Sequence, residues 1–271
     1  MNDIVRVQTL FRRHEYYPRR RRQLYGTFLR LSLKRAMART STDVESVMGF
    51  RVAHVKLKTL CQLFDEIFIN AIYYFKPETE RPFIIDCGSN IGMSILFFKH
   101  LYPQARIIGF EPERNTFNAL RENVRLNDLG DVEVHNKAVS DKDGMITFYT
   151  DPDVSGSLMT SIMESRDTGA SQDVETVRLS PYIDREVDLL KVDIEGAELM
   201  VLEELAASGK LGLIREMIIE YHHHMDRGND NFSRFLSIFE ENGFGYQICS
   251  NFWGPCSREV FQDILVYAYR K

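Results

Sequence analysis

The chain has 271 residues, 44% of them apolar, with 18 Phe and 12 Tyr, which supports a large buried core and excludes a disordered polypeptide. No apolar run approaches about 18 residues, and no apolar segment follows the arginine-rich start, so neither a membrane span nor a secretory leader is expected. Net charge is −5, but residues 1–40 hold eleven Lys/Arg and two acids, a balance of +9 that leaves −14 on the other 231 residues.

In chain order, Arg12, Arg13, Arg19, Arg20, Arg21 and Arg22 first surround Tyr16, Tyr17 and Pro18. Such an arm suits an anionic membrane surface or RNA phosphates. It equally suits solvent, or the acidic body of the same chain or of a homodimer mate. Leu24 to Arg39 carries apolar residues on more than one face and predicts a packed helix. Residues 1–55 thus form a basic, helical N-terminal extension, and 56–271 the main domain. Leu57, Leu60, Cys61, Phe64, Ile67, Phe68, Ala71, Ile72 and Phe75 follow helical spacing, predicting one amphipathic helix in the core.

Phe83-Ile84-Ile85-Asp86 then reads as a buried parallel strand, and Cys87 to Gly92 as a tight turn opening a helix at Met93. This is the local architecture of a nucleotide-type cofactor site, spaced Asp-x-Gly-x-Asn-x-Gly and not Gly-x-Gly-x-x-Gly. Gly88 and Gly92 let a ligand approach the backbone, and Asn90 tolerates left-handed dihedrals. Residues 105–110 form a second strand ending at Glu111-Pro112. An acid there, about 20 residues past the glycine turn, can accept from both hydroxyls of a ribose. A helix over 116–127 and a strand over 132–135 follow, then Asn136 to Asp141 and a strand over 145–149. Asp151 to Asp173 is polar and aperiodic, a substrate-side lid by expectation.

Residues 187–192 form a strand that delivers Asp193, Ile194, Glu195, Gly196, Ala197 and Glu198; residues 216–222 form another that delivers His222, His223 and His224. Ligands of open α/β sheets sit outside the carboxyl ends of the strands, so these acids and histidines converge on one mouth. Strands over 244–249 and 264–269 lack a helix between them and predict an antiparallel pair at the sheet end, which a dinucleotide fold would not have. Trp253 between them can stack on a sugar or cap the sheet edge. Cys61, Cys87, Cys249 and Cys256 show no zinc spacing and are expected as reduced thiols in a cytoplasmic protein.

The segments Asp-x-Gly-x-Asn-x-Gly (86–92), Phe-Glu-Pro (110–112), Asn-Lys-Ala-Val-Ser-Asp (136–141), Lys-Val-Asp-Ile-Glu-Gly-Ala-Glu (191–198) and Ile-Glu-Tyr-His (219–222) resemble FkbM-type S-adenosylmethionine-dependent methyltransferases. The resemblance spans about residues 60–224. It implies a class I methyltransferase (Rossmann-like) α/β fold, a seven-stranded mixed sheet with helices on both faces. The implied activity is O-methylation of a hydroxyl on a sugar, glycan or natural product. For the cofactor S-adenosyl-L-methionine, the expected contacts are Asp86, Gly88, Ser89, Asn90, Gly92, Glu111, Pro112, Asn136, Ala138 and Asp193. Adenine is implied near the end of the third strand, at Asn136 to Ser140. A helix before the first strand often covers the site in this fold, which brings Tyr73 and Tyr74 toward it.

Methyl transfer is a positioning problem, helped by a base as the hydroxyl oxygen attacks. Asp193 and His222 are the expected catalytic residues, with Glu195 orienting; Asp193 and Glu195 are alternative bases. Glu195 can instead be a helix N-terminal carboxylate, and the His triplet a solvated loop. Asp193, Glu195 and a histidine are residue types that suit a divalent cation, but no tight ligand spacing is visible and no metal is expected. Two rival functions stand: an RNA methyltransferase using the basic arm, and a non-catalytic cofactor-binding scaffold. Against the first, the fourth-strand motif is Asp-Ile-Glu-Gly and no RNA-binding module is evident.

Overall fold

A computed structural model of the protein describes residues 21–36, 44–150, 170–223, 231–250 and 262–271. The arm before residue 21, the stretch 151–169, His224, Trp253 and Cys256 lie outside the described residues.

Helix α1 (Arg21–Ala36) buries Leu24, Phe28 and Leu31, one face at i, i+4, i+7. Its Arg30 and Lys34 reach Glu45 at 2.7 and 2.6 Å, and the Glu45 side chain is only 1% exposed. Glu45 belongs to β1 (Val44–Val47), which pairs antiparallel with β2 (Phe50–Ala53). The hairpin departs from the expectation of a wholly helical extension. Four-residue strands are too short for alternation to show, and the turn is Met48-Gly49, both at positive φ (50° and 93°), not an Asn-Gly signal.

Helix α2 (Leu57–Leu63) runs into a π-helical segment, Phe64–Ile69, which Asn70 N–H closes onto the Asp65 carbonyl at 2.9 Å. The predicted single α-helix to Phe75 therefore stops early: Ala71, at φ 53°, turns the chain. The wider turn still buries Leu60, Phe64, Ile67 and Phe68, so the apolar spacing reported burial correctly and helix type incorrectly.

Then come β3 (Phe83–Cys87), α3 (Met93–Leu101), β4 (Arg106–Phe110), α4 (Arg114–Leu126), β5 (Val132–His135), β6 (Ala138–Ser140), β7 (Gly144–Thr150), β8 (Ala170–Arg178), β9 (Val187–Val192), α5 (Glu198–Ala207), β10 (Ile214–His223), α6 (Phe232–Glu241), β11 (Phe244–Ser250) and β12 (Gln262–Arg270). The main sheet has the order β11-β12-β10-β9-β3-β4-β5. Strands β10, β9, β3, β4 and β5 run parallel, while β12 is antiparallel to both β10 and β11. This is the seven-stranded mixed sheet of a class I methyltransferase. Strand order reverses between β3 and β9, and the crevice at that switch point is where such sheets bind ligands.

Alternation along β3 sends Ile84 into the core shared with α1, α2 and α3, and Phe83, Ile85 and Cys87 into the core shared with α5 and α6. Asn123 on α4 and Asn127 just past its end bond both backbone groups of Ala53 and Arg51 at 2.6–2.9 Å, which fastens the hairpin to the main domain. A side sheet, β6-β8-β7, includes residues 170–173, which the polar composition had assigned to a lid. Pairing with β7 decides their conformation. Among the described residues no helix is long and apolar enough to cross a membrane.

Candidate active site

A cleft of about 870 Å³, its open mouth included, lies over the ends of β3, β4 and β9. The turn after β3 forms its floor. Gly88 and Ser89 donate their amides to the Phe110 carbonyl at 3.0 and 2.8 Å, drawing β3 across the end of β4. Gly88 lines the cleft, but its missing side chain serves the protein: a Cβ there would lie 1.7 Å from the Asp193 carbonyl oxygen. Gly92 (φ 86°) does not line the cleft, and its Cβ position meets Leu120 at 2.7 Å. Asn90, at φ 49°, lines it and donates its amide to Glu111 Oε2 at 2.9 Å.

Glu111 is buried against the cleft with one amide on each oxygen, Asn90 N–H on Oε2 and Glu113 N–H on Oε1, both at 2.9 Å. Each oxygen keeps a second lone pair. Burial pushes its carboxyl up to about 8 against the pull of those amides. Glu113 caps α4 by accepting from the amides of Asn115 and Thr116 at 3.0 and 2.7 Å. Pro112 and Ala138 line the cleft; Asn136 does not, and its amide group donates instead to the carbonyls of Glu111 and Pro112 at 2.9 and 2.8 Å. Asp86 also stands behind the wall. It is fully buried, accepts from Ser94 Oγ at 2.5 Å and meets Lys191 Nζ at 3.2 Å.

Lys191, inside an otherwise apolar strand end, is buried and donates to the Gly88 carbonyl at 2.6 Å. It also lies 3.5 Å from Asp193 Oδ2, which accepts from the Tyr73 hydroxyl at 3.1 Å. Tyr73 lines the cleft with Leu63 and Ile67 from the α2/π-helical segment; Tyr74 does not. Glu195 sits at φ 58°, in the left-handed region, and lines the cleft beside Asp193. Burial, reinforced by Asp193 and Glu198 and opposed by His222, pushes its carboxyl up to about 8. In the π-helical segment, burial and the charges of Asp193, Asp65 and Asp263 push Glu66 up to about 7.

His222 lies just behind this wall. Its Nδ1 is 2.7 Å from Glu198 Oε1, and its Nε2 is 3.5 Å from Glu195 Oε2 and 3.8 Å from Asp193 Oδ1. Burial lowers its affinity for a proton, but the Glu198 hydrogen bond and the charges of Glu198, Glu195 and Asp193 outweigh that and raise its pKa to about 11. Those acids favour the imidazolium over the neutral ring that a histidine base needs. Asp193, Glu195 and His222 bring their polar atoms within 4.8 Å of one another. The raised proton affinity of the ring makes it a hydrogen-bonding partner of these two acids. Cys87 is wholly buried and burial raises its thiol pKa, so it is not a nucleophile.

Comparisons with known proteins point to one family. Residues 86–246 match the family described as "Methyltransferase FkbM domain". Methyltransferase 1 of Beauveria bassiana is 30% identical over 220 residues, 73% of this chain and 86% of that protein. The 31-O-demethyl-FK506 methyltransferase FkbM of Streptomyces tacrolimicus is 31% identical over 208 residues, 64% of this chain and 79% of that protein. A crystal structure of methyltransferase FkbM from Methylobacillus flagellatus aligns with TM-score 0.47 and 18% identity over 92% of this chain. This chain spans 60% of that solved one.

Proposed function

The chain belongs to the FkbM methyltransferase family, and on that premise we propose that it methylates a hydroxyl oxygen of a sugar, glycan or natural product, with S-adenosylmethionine as donor. The observation that carries the reading is Glu111, a buried carboxylate at the end of β4 that faces the switch-point cleft with one lone pair open on each oxygen. Those acceptor oxygens fit a vicinal diol, and the acids of the same cleft fit a cationic methyl donor.

In this reading Glu111 would hold the ribose hydroxyls, with Asn90 and Glu113 fixing its orientation. Gly88, Ser89, Pro112 and Ala138 would complete the cofactor wall. Asp86, Gly92 and Asn136 act one layer behind it, through Lys191, Leu120 and the Glu111-Pro112 backbone respectively. When bound, the donor supplies an electrophilic methyl group. Glu195 is the proton acceptor for the hydroxyl: it lines the cleft, and a carboxyl near neutrality suits general-base work. Asp193, held by Tyr73 and Lys191, orients the acceptor. His222 keeps its proton and counters the charge that builds on the two carboxylates. Tyr73 and Ile67 limit water from the open side.

Methyl-labelled S-adenosylmethionine supplied with three acceptor sets, polyhydroxylated sugars, macrocyclic polyols and RNA, tests the proposal. Label appearing as an acid-stable methyl ether supports it. Label confined to RNA, or donor bound without turnover, replaces it with a rival.

A further inference from the structure

We propose that Glu198 is a positioning residue of the methyl-transfer site, holding the His222 ring and the 193–197 turn so that Asp193 and Glu195 face the cleft as one unit; this rests on the reading of that cleft as the transfer site. Glu198 is 2% exposed. One oxygen, Oε1, takes the Gly196 N–H at 3.0 Å and lies 2.7 Å from His222 Nδ1. It thereby ties the turn after β9 to the end of β10. That turn is costly at Glu195, whose φ is 58°, and uses a glycine for the next positive φ, 110° at Gly196.

A carboxylate that served only to cap α5 would bond the amides of its own first turn and remain in water. Glu198 begins the helix, reaches back to Gly196 and across to a ring on another strand, and is buried while doing so. With Nδ1 taken, the ring can turn only Nε2 toward the cleft, and that nitrogen lies 3.5 Å from Glu195 and 3.8 Å from Asp193. Two more acids among the described residues act on the ring: Glu220 on the same strand and Asp263 beside it on β12. Asp193 and Glu195 come from the turn and Glu198 from α5. Glu198 is the one among them in hydrogen-bonding contact with Nδ1.

The full chain labelled in its histidine rings tests this by NMR, with His222→Asn identifying the signal and Glu198→Gln as the perturbation. In the native protein the His222 ring should stay protonated well past pH 9, in line with a pKa of about 11. In Glu198→Gln its titration should fall by about two pH units or more, and the calorimetric affinity for S-adenosylmethionine should weaken as the two cleft acids lose their common partner. An unmoved titration in the folded variant overturns the proposal. Should the variant fail to fold, the native protein decides: a His222 ring that is neutral at pH 8 overturns it, and one protonated there with a slowly exchanging Nδ1 proton upholds it. Native protein that binds no S-adenosylmethionine would sink the functional reading and leave the ring result standing on its own.

Discussion

Lys191→Met should be among the most damaging single changes in the molecule. The Lys191 and Asp86 side chains are 2% and 0% exposed and lie 3.2 Å apart. The lysine also holds the Gly88 and Cys87 carbonyls at 2.6 and 3.3 Å, so it pins the cofactor turn as well as the acid. Methionine fills similar volume but leaves Asp86 with Ser94 as its donor in a dry site. Protonating an aspartate at pH 7, about three pH units above its ordinary value, costs about 4 kcal/mol. This agrees with a loss of about 3–5 kcal/mol when one partner of a buried pair is removed. The variant's acid would take up a proton on folding, so its deficit is smallest below the unfolded value and grows as pH rises. Urea denaturation of the full chain at pH 5 and pH 7 measures this. The deficit should shrink at pH 5, and adding Asp86→Asn should restore most of the stability at pH 7. A loss under about 1 kcal/mol at pH 7, or one identical at both pH values, refutes the reasoning.

Three further outcomes are expected. Gly88→Ala places a methyl on the Asp193 carbonyl, whereas Gly92→Ala meets only the movable tip of Leu120; the second should cost about 1–2 kcal/mol from its left-handed backbone, and the first more, with loss of donor binding. Equal urea midpoints for the two variants contradict this. Glu66, Glu111 and Glu195, at about 7, 8 and 8, and His222, at about 11, all hold protons more tightly folded than unfolded. Their stabilisation is complete below their unfolded values, about 4.3 for Glu and 6.5 for His, and is lost as pH rises through the folded ones. The ligand-free protein should therefore weaken from about pH 5 to pH 9, and a urea midpoint that rises over that interval is inconsistent with the site as described. Glu45→Gln should cost about 1–2 kcal/mol, discounted because Arg30 and Lys34 are partly solvated. It should also speed amide exchange in α1, and unchanged exchange there would show that the ion pair does not hold the helix.

The strand ends were legible because buried parallel strands read as apolar runs, and an acid closing such a run has few reasons to be there except the crevice. That signal located Glu111, Asp193 and Glu195. It could not separate residues facing the cleft from those one layer behind. Asp86 closes a strand as Glu111 does, yet its neighbour Lys191 makes it an internal ion pair. The signal for Lys191 was present, a lysine inside an apolar strand, and it marked a partner for buried acids. The hairpin was not legible because its strands are short and its Met48-Gly49 turn lacks an Asn-Gly signal, and β8 was not because its conformation depends on pairing with β7. His222 was found by position, but its proton state is set by Glu198, Glu195 and Asp193 together, which no single segment reveals.

Calorimetric titration of S-adenosylmethionine near pH 7, in buffers of different ionisation heat, with native protein and Glu111→Gln, tests the central claim most directly. Ribose hydroxyls favour the ionised form of a carboxyl that sits at about 8 when free, so the native protein should bind one donor per chain and release protons. Glu111→Gln should lose that release and about 1.5–3 kcal/mol of affinity, a weakening of about 10- to 150-fold. Full affinity in the variant, with heats that do not depend on the buffer in either protein, would contradict the account.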